Sequence, residues 1–136
     1  MEGLDSNILI YALHKDFPEH DESLRVFTDR ISKDQPLAVS SIVFMEVYHT
    51  LVHKVKVPAE DVKARLKAII LSSNIMVLEI TSKSVLFALE LAEKRKLGGR
   101  DALIAANYLE NAISIIISHD KDFDKISELY RIDPIK

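Results

Sequence analysis

The chain alternates short apolar runs with longer amphipathic stretches, punctuated by Pro18, Pro36, Pro58, Pro134 and the pair Gly98-Gly99. "GLDSN" near the start predicts a very short strand that breaks into a helix over "ILIYALHK". Residues 19–33 predict a helix, with Leu24, Phe27 and Ile31 spaced along one face. "PLAVS" (36–40) predicts a short buried strand. A helix over 41–56 follows, then another over 59–73 opened by Pro58-Ala59-Glu60-Asp61. "IMVLEI" (75–80) predicts a third strand, 82–96 a helix, and "RDALIAANYLENA" (100–112) a further helix after the glycines. "SIIIS" (114–118) is a fourth strand, "KDFDKISEL" a short helix, and "YRID" (130–133) a last strand. Short, continuously apolar strands separated by helices predict an α/β fold, a three-layer α/β/α sandwich around a short, mainly parallel central sheet. Ligands of such sheets collect beyond the carboxyl ends of the strands. Residues just after strands and at helix starts are therefore the candidates for chemistry.

A length of 136 residues without repeat or linker suits one domain over 1–136. With 48% hydrophobic and 29% charged residues, the chain can bury a core, which excludes disorder over most of it. The absence of cysteine excludes disulfides and thiolate metal sites. No apolar run approaches the roughly 20 residues that span a bilayer, and the acid-bearing start has no basic leader, so a cytoplasmic protein is expected. The net charge of −3 argues against gripping nucleic acid by an overall positive field. A local patch is compatible with it: "EKRKLGGR" carries Arg95, Lys96 and Arg100, as a solvated face or as phosphate contacts.

The acids fall where the fold rule directs attention. Asp5 ends the first strand, Glu46 lies in the first turns of the helix after the second, Asp101 opens a helix, and Asp120 and Asp122 follow the fourth strand. Each has an ordinary alternative. Asp5 suits a helix cap, Asp101 a cap or first-turn acid, Asp120 and Asp122 a turn or helix start, and Glu46 suits a solvated stripe with His49, Thr50 and His53. Their joint placement at one edge is harder to explain that way. Carboxylates within a few Å repel, and a divalent cation removes the conflict. Mg²⁺ and Mn²⁺ prefer oxygen ligands and suit phosphodiester hydrolysis by activated water.

Four segments, "LDSN" (4–7), "VSSIVFMEV" (39–47), "GGRDALIAA" (98–106) and "IISHDKDFDKI" (116–126), resemble in order and spacing the motifs of PIN-domain proteins. The small single-domain form looks most like the toxin ribonucleases of VapBC toxin–antitoxin pairs. The resemblance implies a metal-dependent endoribonuclease whose four acids fall on Asp5, Glu46, Asp101 and Asp120, with Asp122 an auxiliary ligand for one or two Mg²⁺ or Mn²⁺ ions. It matches Ser118 to the family's small hydroxyl before the fourth acid, and Ser6 and Asn7 to the polar pair after the first, all orienting carboxylates or water. It further implies RNA as substrate, products with 5′-phosphates and 3′-hydroxyls, homodimers, and inhibition by a small antitoxin protein. The apolar stretches at 8–13 and 42–55 are candidates for either interface.

Rival readings remain at this level: an RNA-processing or repair nuclease of the same fold, a phospho-receiver module, or a non-catalytic interaction protein. The receiver is disfavoured because strand one supplies only Asp5, and "IMVLEI" is followed by Thr81-Ser82-Lys83 with no acceptor aspartate. A zinc site on His49 and His53, one turn apart, lacks a partner ligand at suitable spacing.

Overall fold

The computed structural model describes residues 1–136. Strands β1 (Glu2–Leu4), β2 (Leu37–Ser40), β3 (Ile75–Leu78), β4 (Ile115–Ile117) and β5 (Tyr130–Ile132) form one sheet in the order β3-β2-β1-β4-β5, parallel at every pairing. The helices are α1 (Ser6–Leu13), α2 (His20–Ser32), α3 (Ser41–His49), α4 (Ala59–Ile70), α5 (Ser82–Arg95) and α6 (Gly99–Glu110). Helix α1 packs on α2 and α3, and α3 on α4, while α5 pairs with α6 and α6 lies against β2. All four residues of β2 are buried, which is why the strand is continuously apolar up to its final serine. A single cluster of 29 buried hydrophobic residues joins the layers.

Register decides where the candidate residues emerge. Leu4 stands opposite Val39 and Ile117, and Ile117 opposite Ile132. The next residues, Asp5, Ser40, Ser118 and Asp133, therefore stand in one row at the carboxyl edge of the sheet. The chain builds β1, β2 and β3 outward in one direction, then returns to lay β4 on the other side of β1. That reversal between β1 and β4 is where such sheets open a crevice.

Several expected elements are shifted, each for a local reason. Helix α1 starts at Ser6 rather than at residue 8, because the Asp5 side chain accepts from Ser6 N at 2.7 Å and caps it. The expected helix over 41–56 divides into α3 and a π-helical turn, Thr50–Lys54, closed by Val55 N donating to Thr50 O at 3.0 Å. The short helix after β4 is a 3₁₀ turn, Lys121–Lys125. The predicted face of α2 is wrong by about one residue: Leu24 and Ile31 are 41% and 54% exposed, and the buried positions are Ser23 and Val26, with Phe27 partly against the core. Arg30 shares the inward face, where its guanidinium donates to both Glu2 carboxylate oxygens at 2.7 and 2.9 Å. A polar pair thus takes a place that apolar periodicity reserves for a hydrophobe.

Ala112, between α6 and β4, has φ of 59°. A left-handed residue with a Cβ is strained by roughly 1–2 kcal/mol, and glycine relieves this at some cost in unfolded-chain entropy. Ala112→Gly is expected to raise stability by about 0.5–1 kcal/mol in urea denaturation.

Candidate metal centre

Asp5 is 4% exposed and does two jobs. One carboxylate oxygen caps α1; the other accepts from Ser118 Oγ at 2.6 Å. Ser118 Oγ in turn accepts from Asp120 N at 2.9 Å, so one hydroxyl links the acids following β1 and β4 across the crevice. Asp120 Oδ1 accepts from Asp122 N at 2.9 Å, which fixes the turn. The capping alternative therefore holds for Asp5 and Asp120 without displacing the other one. Asp101 makes no cap: α6 starts at a bare Gly98, and Asp101 sits in its first turn.

Oxygens of Asp101, Asp120 and Asp122 lie within 4.8 Å of one another. Asp122, expected as an auxiliary, belongs to this tightest group. Glu46 is 9% exposed while His49 and His53 are exposed, so the solvated-stripe alternative fails for it. Arg100, its side chain 69% exposed, reaches over to pair with Glu46. Even so, neither Glu46 oxygen accepts a well-directed hydrogen bond, and Asn7 Oδ1 and Ser40 Oγ are also buried without a partner.

The electrostatics follow from this crowding. Burial pushes the Glu46 carboxyl up to about 7, with Asp5 adding to the rise and Arg100 opposing it. Asp101 is pushed up to about 6, chiefly by burial and then by Asp120 and Asp5. Burial also raises Asp5, against the hydrogen bonds from Ser118 and Ser6. A buried carboxylate is costly to keep charged, and here Asp5 and Glu46 are buried with Asp101 and Asp120 close enough to repel them. The donors are all oxygen, Glu46 has only the exposed Arg100 against it, and the carboxylates repel one another, so the set fits a hard divalent cation.

Two of the basic candidates and three of the histidines stand as follows. Arg95 donates to both Glu128 carboxylate oxygens at 2.9 and 3.0 Å, and Lys96 ends α5 in a left-handed conformation with φ of 56°. His119 Nδ1 lies 2.9 Å from Asp133 Oδ2. His49 and His53 have ring centroids 5.1 Å apart with no third ligand converging on them. Tyr108, not among the expected site residues, reaches the ends of β1 and β2 from α6. The available signal was Gly3 inside a strand, a position that marks close approach of another group.

The fold and the acid cluster at its sheet edge define a class, and comparison with known proteins supplies the family. The PIN domain family model matches residues 4–129. The chain belongs to the PIN domain family. Among solved structures, the sarcin–ricin-loop-cleaving toxin VapC20 of Mycobacterium tuberculosis aligns with TM-score 0.76 at 20% identity, covering 91% of this chain and 93% of that one. VapBC-1 of nontypeable Haemophilus influenzae aligns with TM-score 0.72 at 23% identity, covering 98% and 97%. VapBC2 of Rickettsia felis, bound to a DNA fragment from its promoter, aligns with TM-score 0.69 at 22% identity, covering 97% of each chain. No curated protein matches the sequence. No helix is long and apolar enough to cross a membrane.

Proposed function

We propose that the protein is a Mg²⁺- or Mn²⁺-dependent endoribonuclease, the toxin of a type II toxin–antitoxin pair, acting in the cytoplasm as one PIN domain. The observation that carries the reading is the convergence of Asp5, Asp101, Asp120 and Asp122, with the buried Glu46 paired to Arg100 alone, at the one sheet edge where the strand order reverses. Asp5, Glu46, Asp101 and Asp120 would hold the ion or ions, with Asp122 beside them. A bound ion would supply Lewis acidity toward a phosphate oxygen and a water of lowered pKa.

The chain's own residues do the rest. Ser6 and Ser118 clamp Asp5 in one orientation, and Ser118 fixes Asp120 through its backbone. Asn7 Oδ1, buried without a protein partner two residues after Asp5, would orient water there. Arg100 presents an exposed guanidinium beside Glu46, suited to a substrate phosphate. Water adds to phosphorus, the P–O3′ bond breaks, and the products carry a 5′-phosphate and a 3′-hydroxyl. The 2′-hydroxyl takes no part, so the assignment of RNA rests on the likeness to the RNA-cleaving toxin.

A small antitoxin as partner is supported by the toxin–antitoxin complexes among the similar structures. Exposed Met45 on α3 and Leu86 and Leu89 on α5 offer apolar surface for that partner or for a homodimer. The test is incubation of the purified protein with structured and single-stranded RNA. Cleavage is expected with Mn²⁺ or Mg²⁺, with 5′-phosphate ends on the products. Cleavage that continues undiminished in excess chelator, or products with cyclic phosphate ends, would refute the assignment.

A further inference from the structure

Tyr108 is fully buried on α6, the helix that carries Asp101 in its first turn. Its hydroxyl accepts from Ser40 N at 3.1 Å and donates to the carbonyl of Leu4. Leu4 directly precedes Asp5, and Ser40 directly precedes α3, which carries Glu46. One phenol thus joins the three elements that deliver Asp5, Glu46 and Asp101. The ring is accommodated because residue 3 is glycine: a Cβ there would stand 2.7 Å from Tyr108 Cζ and 2.8 Å from Cδ1 and Cδ2. Gly3 and Tyr108 form a lock-and-slot pair in the middle of the sheet, 105 residues apart in sequence.

We propose that Tyr108 is a positioning residue for the acidic centre, acting through the strand ends and not by contact with substrate. A hydroxyl that is both donor and acceptor fixes the separation of two neighbouring strand termini to within hydrogen-bond tolerance. The carboxylates one residue beyond β1 and a helix turn or two beyond β2 inherit that separation. Without the hydroxyl, Ser40 N and Leu4 O lose their shared partner, and the two strand ends are free to relax independently. The inference rests on the proposed metal-dependent reading of the site, and its test separates the two.

Tyr108→Phe keeps the ring in the Gly3 slot and removes only the hydroxyl. Val62→Ala on α4, buried in the core and carrying no hydrogen bond to the acids, provides a control for lost stability. Mn²⁺ affinity is measured by calorimetry, and RNA cleavage is measured alongside as kcat and KM. Tyr108→Phe is expected to weaken Mn²⁺ binding and lower kcat by about 10-fold, the usual scale for groups that orient ligands. KM should change little, and Val62→Ala should leave all three near wild type. If Tyr108→Phe does not fold, Gly3→Ala, which retains the hydroxyl but drives the ring from its slot, is expected to weaken Mn²⁺ binding likewise. Wild-type Mn²⁺ affinity in the Tyr108→Phe variant, or in Gly3→Ala where that is the variant that folds, overturns the positioning role while leaving the metal site standing. Failure of the wild-type protein to bind Mn²⁺ overturns both.

Discussion

Asp5→Asn is expected to abolish RNA cleavage, lowering the rate by about 10³-fold, without unfolding the protein. The reason lies in which contacts the amide can keep. Its oxygen still accepts from Ser6 N, so α1 remains capped. Ser118 Oγ, which donates to the second carboxylate oxygen at 2.6 Å, can turn its proton away and accept from the new amide instead. What vanishes is a negative charge at a site 4% exposed, in a crevice already crowded with carboxylates. The variant should therefore melt at or above the wild-type temperature in chelator while cleaving nothing. A gel-based cleavage assay paired with a thermal melt decides it. Cleavage at more than a tenth of the wild-type rate would remove Asp5 from the centre.

The second large effect is a stability profile opposite to that of most acidic proteins. In the metal-free protein, Glu46 is raised from 4.5 to about 7 and Asp101 from 3.8 to about 6. Between pH 5 and 8 the folded state thus binds more protons than the unfolded state, and stability falls as pH rises. The difference is fully present at pH 8, above both folded values, and disappears as pH drops toward the unfolded values. Groups shifted downward by ion pairs or hydrogen bonds, Asp29, Asp124, Glu128 and Asp133, lose their contributions only at lower pH, outside this window. Allowing for the coupling between Glu46 and Asp101, the net effect is about 2 kcal/mol, or a melting temperature roughly 5–10 °C higher at pH 5 than at pH 8. Millimolar Mn²⁺ should erase most of this gap, because the ion binds only the ionised, folded site. Scanning calorimetry at the two pH values, with and without the ion, provides the check. A metal-free melting temperature that rises from pH 5 to pH 8 would contradict it.

The architecture was legible in the sequence because parallel strands buried on both faces must be apolar throughout. "LAVS" and "III" say so within four residues. The acids were legible because position after a strand is readable even where contacts are not. Glu46 stood out as a lone charge among apolar neighbours, and it is buried. What escaped depended on partners distant in sequence. Arg30 faces inward on α2 because Glu2 awaits it there, 28 residues earlier, and no periodicity on the helix itself encodes that. The π-helical turn at 50–54 arises from a local hydrogen-bond choice, since Val55 N pairs with Thr50 O. Tyr108 carries no signal within its own helix because its role is set by Gly3 at the opposite end of the chain.

The residue at position 46 and its surroundings disagree. The side chain is enclosed, neither oxygen finds a proper donor, and only one flexible guanidinium stands nearby. A glutamine there would sit more comfortably than the native acid. Laboratory selection for heat resistance in the presence of chelator should consequently enrich catalytically dead sequences, with replacements at 46 and 101 arriving before any in the hydrophobic interior.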